Sequence, residues 1–194
     1  MNPLVLIVSI ITIACSHNGN DRSSISKDNI VAESSSISTL DTVQIINEIK
    51  KQYAEINSKA AQYDKVEKEV YDESTEGAVL IGYYEKKELK KITGIYFRET
   101  GKTVAEYYFN GNDFFFVYLK EFNYEKPIYI ESSCKVKSIE ESRYYFYKGE
   151  LIKWISGNKT ISASSKEFLE RNIFFKEDFE KYKKLFVCRQ NKVN

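Results

Sequence analysis

One histidine, His17, serves a chain of 194 residues, and it stands in a polar stretch outside any run that could build a core. A Ser/His/Asp or Cys/His nucleophile is therefore left without a base, and the usual imidazole-rich zinc site has too few ligands. The three cysteines, Cys15, Cys134 and Cys188, show no CxxC spacing, which argues against a redox dithiol or a zinc ribbon. No glycine-rich loop joins a strand to a helix, so the phosphate cradle of a P-loop or a dinucleotide-binding turn is missing. Charge of one sign is lacking too. Lys and Arg number 29 against 28 Asp and Glu, and that balance creates no whole-chain field for nucleic acid. No cofactor and no metal is implied.

What is present points to strands. Two prolines and eight glycines against fifteen tyrosines and twelve phenylalanines describe a folded chain with one core of ordinary size. Aromatic and β-branched runs alternate with short turns, predicting strands over 78–84, 89–97, 102–109, 114–122, 142–147 and 150–156. Three segments share a pattern of aromatic, polar turn, acid and large apolar residue: Tyr84 to Leu89, Phe109 to Phe114 and Phe146 to Leu151, each preceded by tyrosine. Tight hairpins demand that order. The run from Phe114 to Leu119 is apolar on both alternating faces, which places it centrally. Residues 123–141, with Lys126 and Pro127, read as a connection with an irregular edge strand, and Asn158 to Thr160 as a loop.

Two helices complete the prediction. Val43, Ile46, Ile49, Tyr53, Ile56, Ala60, Tyr63, Val66 and Val70 recur every three or four residues, one apolar face of a helix over 40–71 with a break expected at Asn57 and Ser58. Glu55 with Lys59 and Asp64 with Lys68 would form ion pairs along it. The near-heptad spacing also suits a coiled-coil dimer; packing on the chain's own sheet is the simpler reading. Ser164 and Glu167 form a capping-box pattern opening a second helix to about residue 186, with Phe168, Phe175, Phe179, Tyr182 and Phe186 on one face. The fold class expected is α+β, a long N-terminal helix and a C-terminal helix packed on a twisted antiparallel β-meander.

Residues 3–14 are apolar, too short a run to span a bilayer, and end at Ala14 before Cys15 and a polar stretch. The stretch Thr12-Ile13-Ala14-Cys15 resembles the lipobox of bacterial lipoproteins, with Thr12 where that family usually has Leu. The resemblance implies cleavage before Cys15, its lipidation and a membrane anchor held by more than one acyl chain. An ordinary secretory signal or a short buried segment are the other readings of these residues. The organisation expected is a signal over 1–14, a lipidated flexible tether over 15–38, one globular domain over 39–188 and a tail over 189–194. In an exported chain Cys134 and Cys188 are either a disulfide or two buried thiols.

Residues 73–92, 101–118 and 141–155 resemble uncharacterised bacterial lipoproteins in which a long helix precedes hairpins of the form Tyr-Tyr-Phe, turn, Lys/Glu-Leu-Ile. That resemblance implies fold and an envelope location, on the outer membrane where the cell has one, and carries no catalytic residue. Lys86, Lys87, Lys90 and Lys91 beside Tyr83 and Tyr84 make a local basic patch, either a recognition surface for anionic ligands or a solvated hairpin tip. Trp154 and the strand tyrosines offer an aromatic platform for a glycan or an envelope protein, though alternation turns half of them inward. Glu140, Glu141 and Asp113 are the carboxylates a hydrolase would use, and acids at turns are usually solvated. The functional expectation is a membrane-anchored, non-enzymatic binding or structural domain. An inhibitor or immunity-like protein acting on an envelope enzyme comes second and a carboxylate hydrolase third.

Overall fold

The computed structural model describes residues 39–70, 74, 76–130 and 135–186. Helix α1 spans Thr39–Lys59 and ends in a 3-10 turn, Ala60–Gln62. Eight strands follow: β1 Asp64–Val70, β2 Ala78–Glu85, β3 Glu88–Arg98, β4 Gly101–Asn110, β5 Asp113–Tyr124, β6 Val136–Tyr147, β7 Glu150–Ser156 and β8 Lys159–Ile161. Helix α2, Lys166–Phe186, closes the domain. All strands pair antiparallel with their sequence neighbours, giving one open meander with β1 and β8 as edges. The α+β class and the two helices on an antiparallel meander are as expected.

The three repeated segments are three bulged hairpins on one end of the sheet. The register shifts between Tyr83 and Tyr84, between Tyr108 and Phe109, and between Tyr145 and Phe146. Each shift leaves one extra residue on the returning strand: Lys90 in β3, Phe115 in β5 and Ile152 in β7. Such a bulge reverses the facing of everything beyond it. Leu89 and Ile92, Phe114 and Val117, and Leu151 and Trp154 therefore share one face despite their spacing of three, and all six lie in the core beneath α2. The residues facing the other way, among them Tyr108, Phe115, Phe116 and Tyr145, pack against Ile46, Ile49 and Ile56 of α1. The helices thus cover opposite faces, and residues 114–117 of β5 are buried between them.

Several boundaries differ from the sequence reading. The first helix stops at Lys59, and residues 64–70 form β1 in register with β2. Near that stop Asn57 Nδ2 donates to the Tyr53 carbonyl at 3.1 Å and Ser58 Oγ to the Glu55 carbonyl at 2.7 Å, local bonds that compete with helix continuation. Glu55 and Lys59 do pair, at 2.7 Å. Lys68 instead lies 4.5 Å from the Phe186 ring centre and donates to the Leu185 carbonyl. Strand β6 begins at Val136, six residues before its predicted start, and pairs with the far half of β5. The loop expected at residues 158–160 is a turn at Gly157, φ 55°, feeding β8. The cap of α2 is Ser165, whose Oγ accepts from the Phe168 N–H at 3.2 Å, while Ser164 bonds Ser162.

Helix α2 sits close because β2 offers a dent. A Cβ built on Gly82 would come within 2.7 Å of the Phe186 ring, and Phe186 in turn accepts through its carbonyl from Tyr84 Oη at 3.0 Å. Gly82→Ala should displace the last turn of α2 and destabilise the domain by about 2 kcal/mol, read as a lower urea midpoint at unchanged slope. On the opposite face the Thr93 hydroxyl is buried without a partner among the described residues. Thr93→Val removes that unmet polar group at constant shape and should raise stability by about 1 kcal/mol in the same measurement.

Candidate functional site

The residues singled out in the sequence do not converge. Tyr83 and Tyr84 are neighbours on a strand and face opposite sides of the sheet. Tyr83 is half-buried beside Lys65 and Lys91, and Tyr84 is buried under Phe186. Trp154 is 9% exposed, stacked on Tyr144 at 5.2 Å, with its Nε1 buried and unpartnered among the described residues, so it is core and not a platform. The bulge after Leu151 is the reason, because strict alternation would turn Trp154 to the other face.

The basic patch also comes apart. Lys86 and Lys87 remain exposed at the β2–β3 turn, and Lys90 pairs with Glu88 at 2.8 Å. Lys91 is buried, 3.1 Å from Glu106 and 4.9 Å from the Tyr83 ring centre, with Asn57 of α1 at 3.4 Å. It is a structural cation that ties α1 to the sheet. Glu140 and Glu141 are consecutive in β6 and face opposite sides; Glu140 lies across from Glu121, and Glu141 holds Lys120 at 3.3 Å and Arg143 at 2.9 Å. Hydrogen bonding from Tyr118 and the two cations keeps the Glu141 carboxyl below its ordinary range. Asp113 starts β5, eight residues above Glu121, or roughly 26 Å at strand rise. These three carboxylates cannot act on one bond. Cys15, Cys134, Cys188 and His17 lie outside the described residues.

Clefts open where each helix leaves the sheet uncovered. On the α1 side, Ile49, Lys50, Tyr53, Phe116, Tyr118, Arg143 and Tyr145 line about 240 Å³, with Arg143 held by Glu141. On the α2 side a groove of about 330 Å³ runs between the helix flank and β3–β5. Its wall is Arg171, Phe174, Asp178 and Lys181, spaced three or four apart, and its floor includes Tyr96, Thr103, Ala105, Leu119 and Glu121.

Three phenols close the groove's inner side. Tyr107 Oη donates to Asp178 Oδ2 at 2.8 Å, the Tyr96 and Tyr182 hydroxyls are hydrogen-bonded, and the Tyr107 and Tyr182 rings meet edge to face at 4.9 Å. Gly94 makes room: a Cβ there would come within 2.7 Å of the Tyr96 ring. Burial, reinforced by the neighbouring phenols and Asp178, pushes the Tyr107 and Tyr182 hydroxyls well above the ordinary phenol range, so both stay protonated. Arg171 lies 5.4 to 5.9 Å from the ring centres of Tyr144, Trp154, Phe174 and Phe175. Among the described residues its guanidinium makes no ion pair or hydrogen bond, and it lines the groove. Phe174, which lines the groove, is 46% exposed.

Sequence reasoning missed this wall. The available signal was the triplet Ile173-Phe174-Phe175, wider than one core stripe needs, followed by Asp178 and Lys181 in phase with Phe174. No family model, curated protein or solved structure matches the chain.

Lys91→Met should leave the Glu106 carboxylate without its cation beneath α1 and cost about 3 kcal/mol, whereas the double change with Glu106→Leu should recover most of that loss. Urea unfolding of the four members of the cycle reads the coupling. For the phenols, folded values raised above the unfolded one mean stability that is fully present below about pH 10 and lost as pH rises further. Alkaline denaturation followed by circular dichroism should shift upward in Tyr182→Phe, which has no phenol to ionise on unfolding.

Proposed function

We propose that this protein is a lipid-anchored, non-catalytic domain of the bacterial envelope that holds a ligand in the groove along α2. The observation that carries the binding role is Arg171, a guanidinium set against four aromatic rings beside a groove and not committed to any carboxylate among the described residues. The rings steady the guanidinium, and its N–H donors are left for a ligand. The anchor rests on the apolar run before Cys15 and on the lipobox-like Ala14-Cys15 step. Among the described residues no helix is long and apolar enough to cross a membrane, and attachment through acyl chains on Cys15 needs none.

A second reading, an inhibitor-like protein that docks on an envelope enzyme, has its own support. Ile128, Tyr129, Ile130, Val136 and Ile139 are 43% to 75% exposed and lie where β5 ends and β6 begins, a concentration of apolar surface typical of contact sites. A partner retained at fixed stoichiometry by the intact chain, and lost in Tyr129→Ser with Ile130→Ser, would favour that reading.

Metabolic labelling with a clickable fatty acid tests the anchor. The intact chain should carry label and fractionate with membranes, and Cys15→Ser should do neither. An unlabelled intact chain would overturn the anchor while leaving the groove to be judged by ligand binding.

A further inference from the structure

We propose that the α2 groove takes a carbohydrate chain, the apolar face of one sugar ring lying on Phe174 while Arg171 and Glu121 hydrogen-bond its hydroxyls. This rests on the groove being the binding site and names the ligand class it fits. The lining carries both signs, Arg171 and Lys181 against Asp178 and Glu121, so a multiply charged ligand of either sign meets repulsion from two of the four. Phosphates and nucleic acid are disfavoured on that ground. A purely apolar ligand would desolvate the same four groups without replacing their hydrogen bonds.

An extended peptide fits poorly for a different reason. Strand addition needs an open edge, yet the floor belongs to β3, β4 and β5, whose backbone groups are engaged on both sides by the ladder. What remains is a ligand that is polar around its rim, apolar on its faces and largely uncharged. A pyranose has that form: its hydroxyls donate and accept, matching a guanidinium fork and a carboxylate, and its C–H face lies on an aromatic ring. Phe174 offers such a ring, lining the groove and meeting Phe175 edge to face at 5.4 Å. From Arg171 to Lys181 the wall runs roughly 15 Å along the helix, long enough for several linked rings in a row. The two phenols buried behind it hold the floor in place through Asp178 and Tyr96.

The test is titration of the full chain with cellotetraose, maltotetraose and chitotetraose, followed by isothermal calorimetry and by amide shifts of Arg171, Phe174 and Glu121. At least one tetraose should bind with shifts confined to the groove, and Phe174→Ala should weaken it about tenfold. Glu121→Gln should weaken it by a smaller factor, with the unfolding midpoint of both variants near that of the parent. Binding that neither substitution changes overturns the proposal. So does the absence of binding to all three tetraoses. In that last case a small-molecule fragment set screened by the same shifts separates the two claims: fragments that land beside Arg171 and Phe174 leave the groove as a binding site for another ligand class, and an empty groove overturns the binding site as well.

Discussion

Three single-residue bulges organise this domain. A strand with strict alternation sends residues three apart to opposite faces, and the chain repeatedly places large apolar residues three apart, as in Leu89 with Ile92, Phe114 with Val117 and Leu151 with Trp154. Without the extra residue at Lys90, Phe115 and Ile152, one member of each pair would be pulled from the α2 core and put on the α1 face. Register and core are thus one constraint. Because each of these three bulges lies next to its turn, the wide apolar cluster gathers at one end of the sheet. Helix α2 settles there, with Phe175 against Tyr144 at 4.6 Å and Phe146 at 5.6 Å.

The groove is a consequence of that placement. A helix with a core line at Phe168, Phe175, Tyr182 and Phe186 covers the bulged end of the sheet and leaves the farther part of β3–β5 open along its flank. The residues on that flank are the ones a helix would normally present to water, yet here they face a wall of tyrosines. The result is a concave surface in which Asp178 is fixed by Tyr107 and Arg171 rests against aromatic rings.

The opposite face shows a different solution to a buried charge. The bulge that turns Ile92 toward α2 turns Lys91 toward α1, under a helix that excludes water. Glu106, Asn57 and two tyrosine rings surround the ammonium, so the cost of its desolvation is offset locally and α1 acquires a polar latch among apolar contacts. One register shift therefore sets both a core and a latch.

The sequence alone determined the class of fold, the hairpin order and most strand bodies, because turn residues and aromatic runs are local signals that survive without tertiary context. It also carried the lipobox-like step at Cys15, which is read from consecutive residues. Its errors have a common origin. Tyr63, Val66 and Val70 continue a helical spacing, but pairing with β2 makes residues 64–70 a strand, and no local rule ranks those outcomes. Lys90 and Lys91 read as one patch, and Trp154 as surface, because a bulge is invisible to alternation counting. The groove was the least legible of all: Arg171, Phe174 and Tyr96 become neighbours only when a helix from one end of the chain lies across strands from its middle. That meeting depends on packing between distant segments, and so only the tertiary structure could decide it.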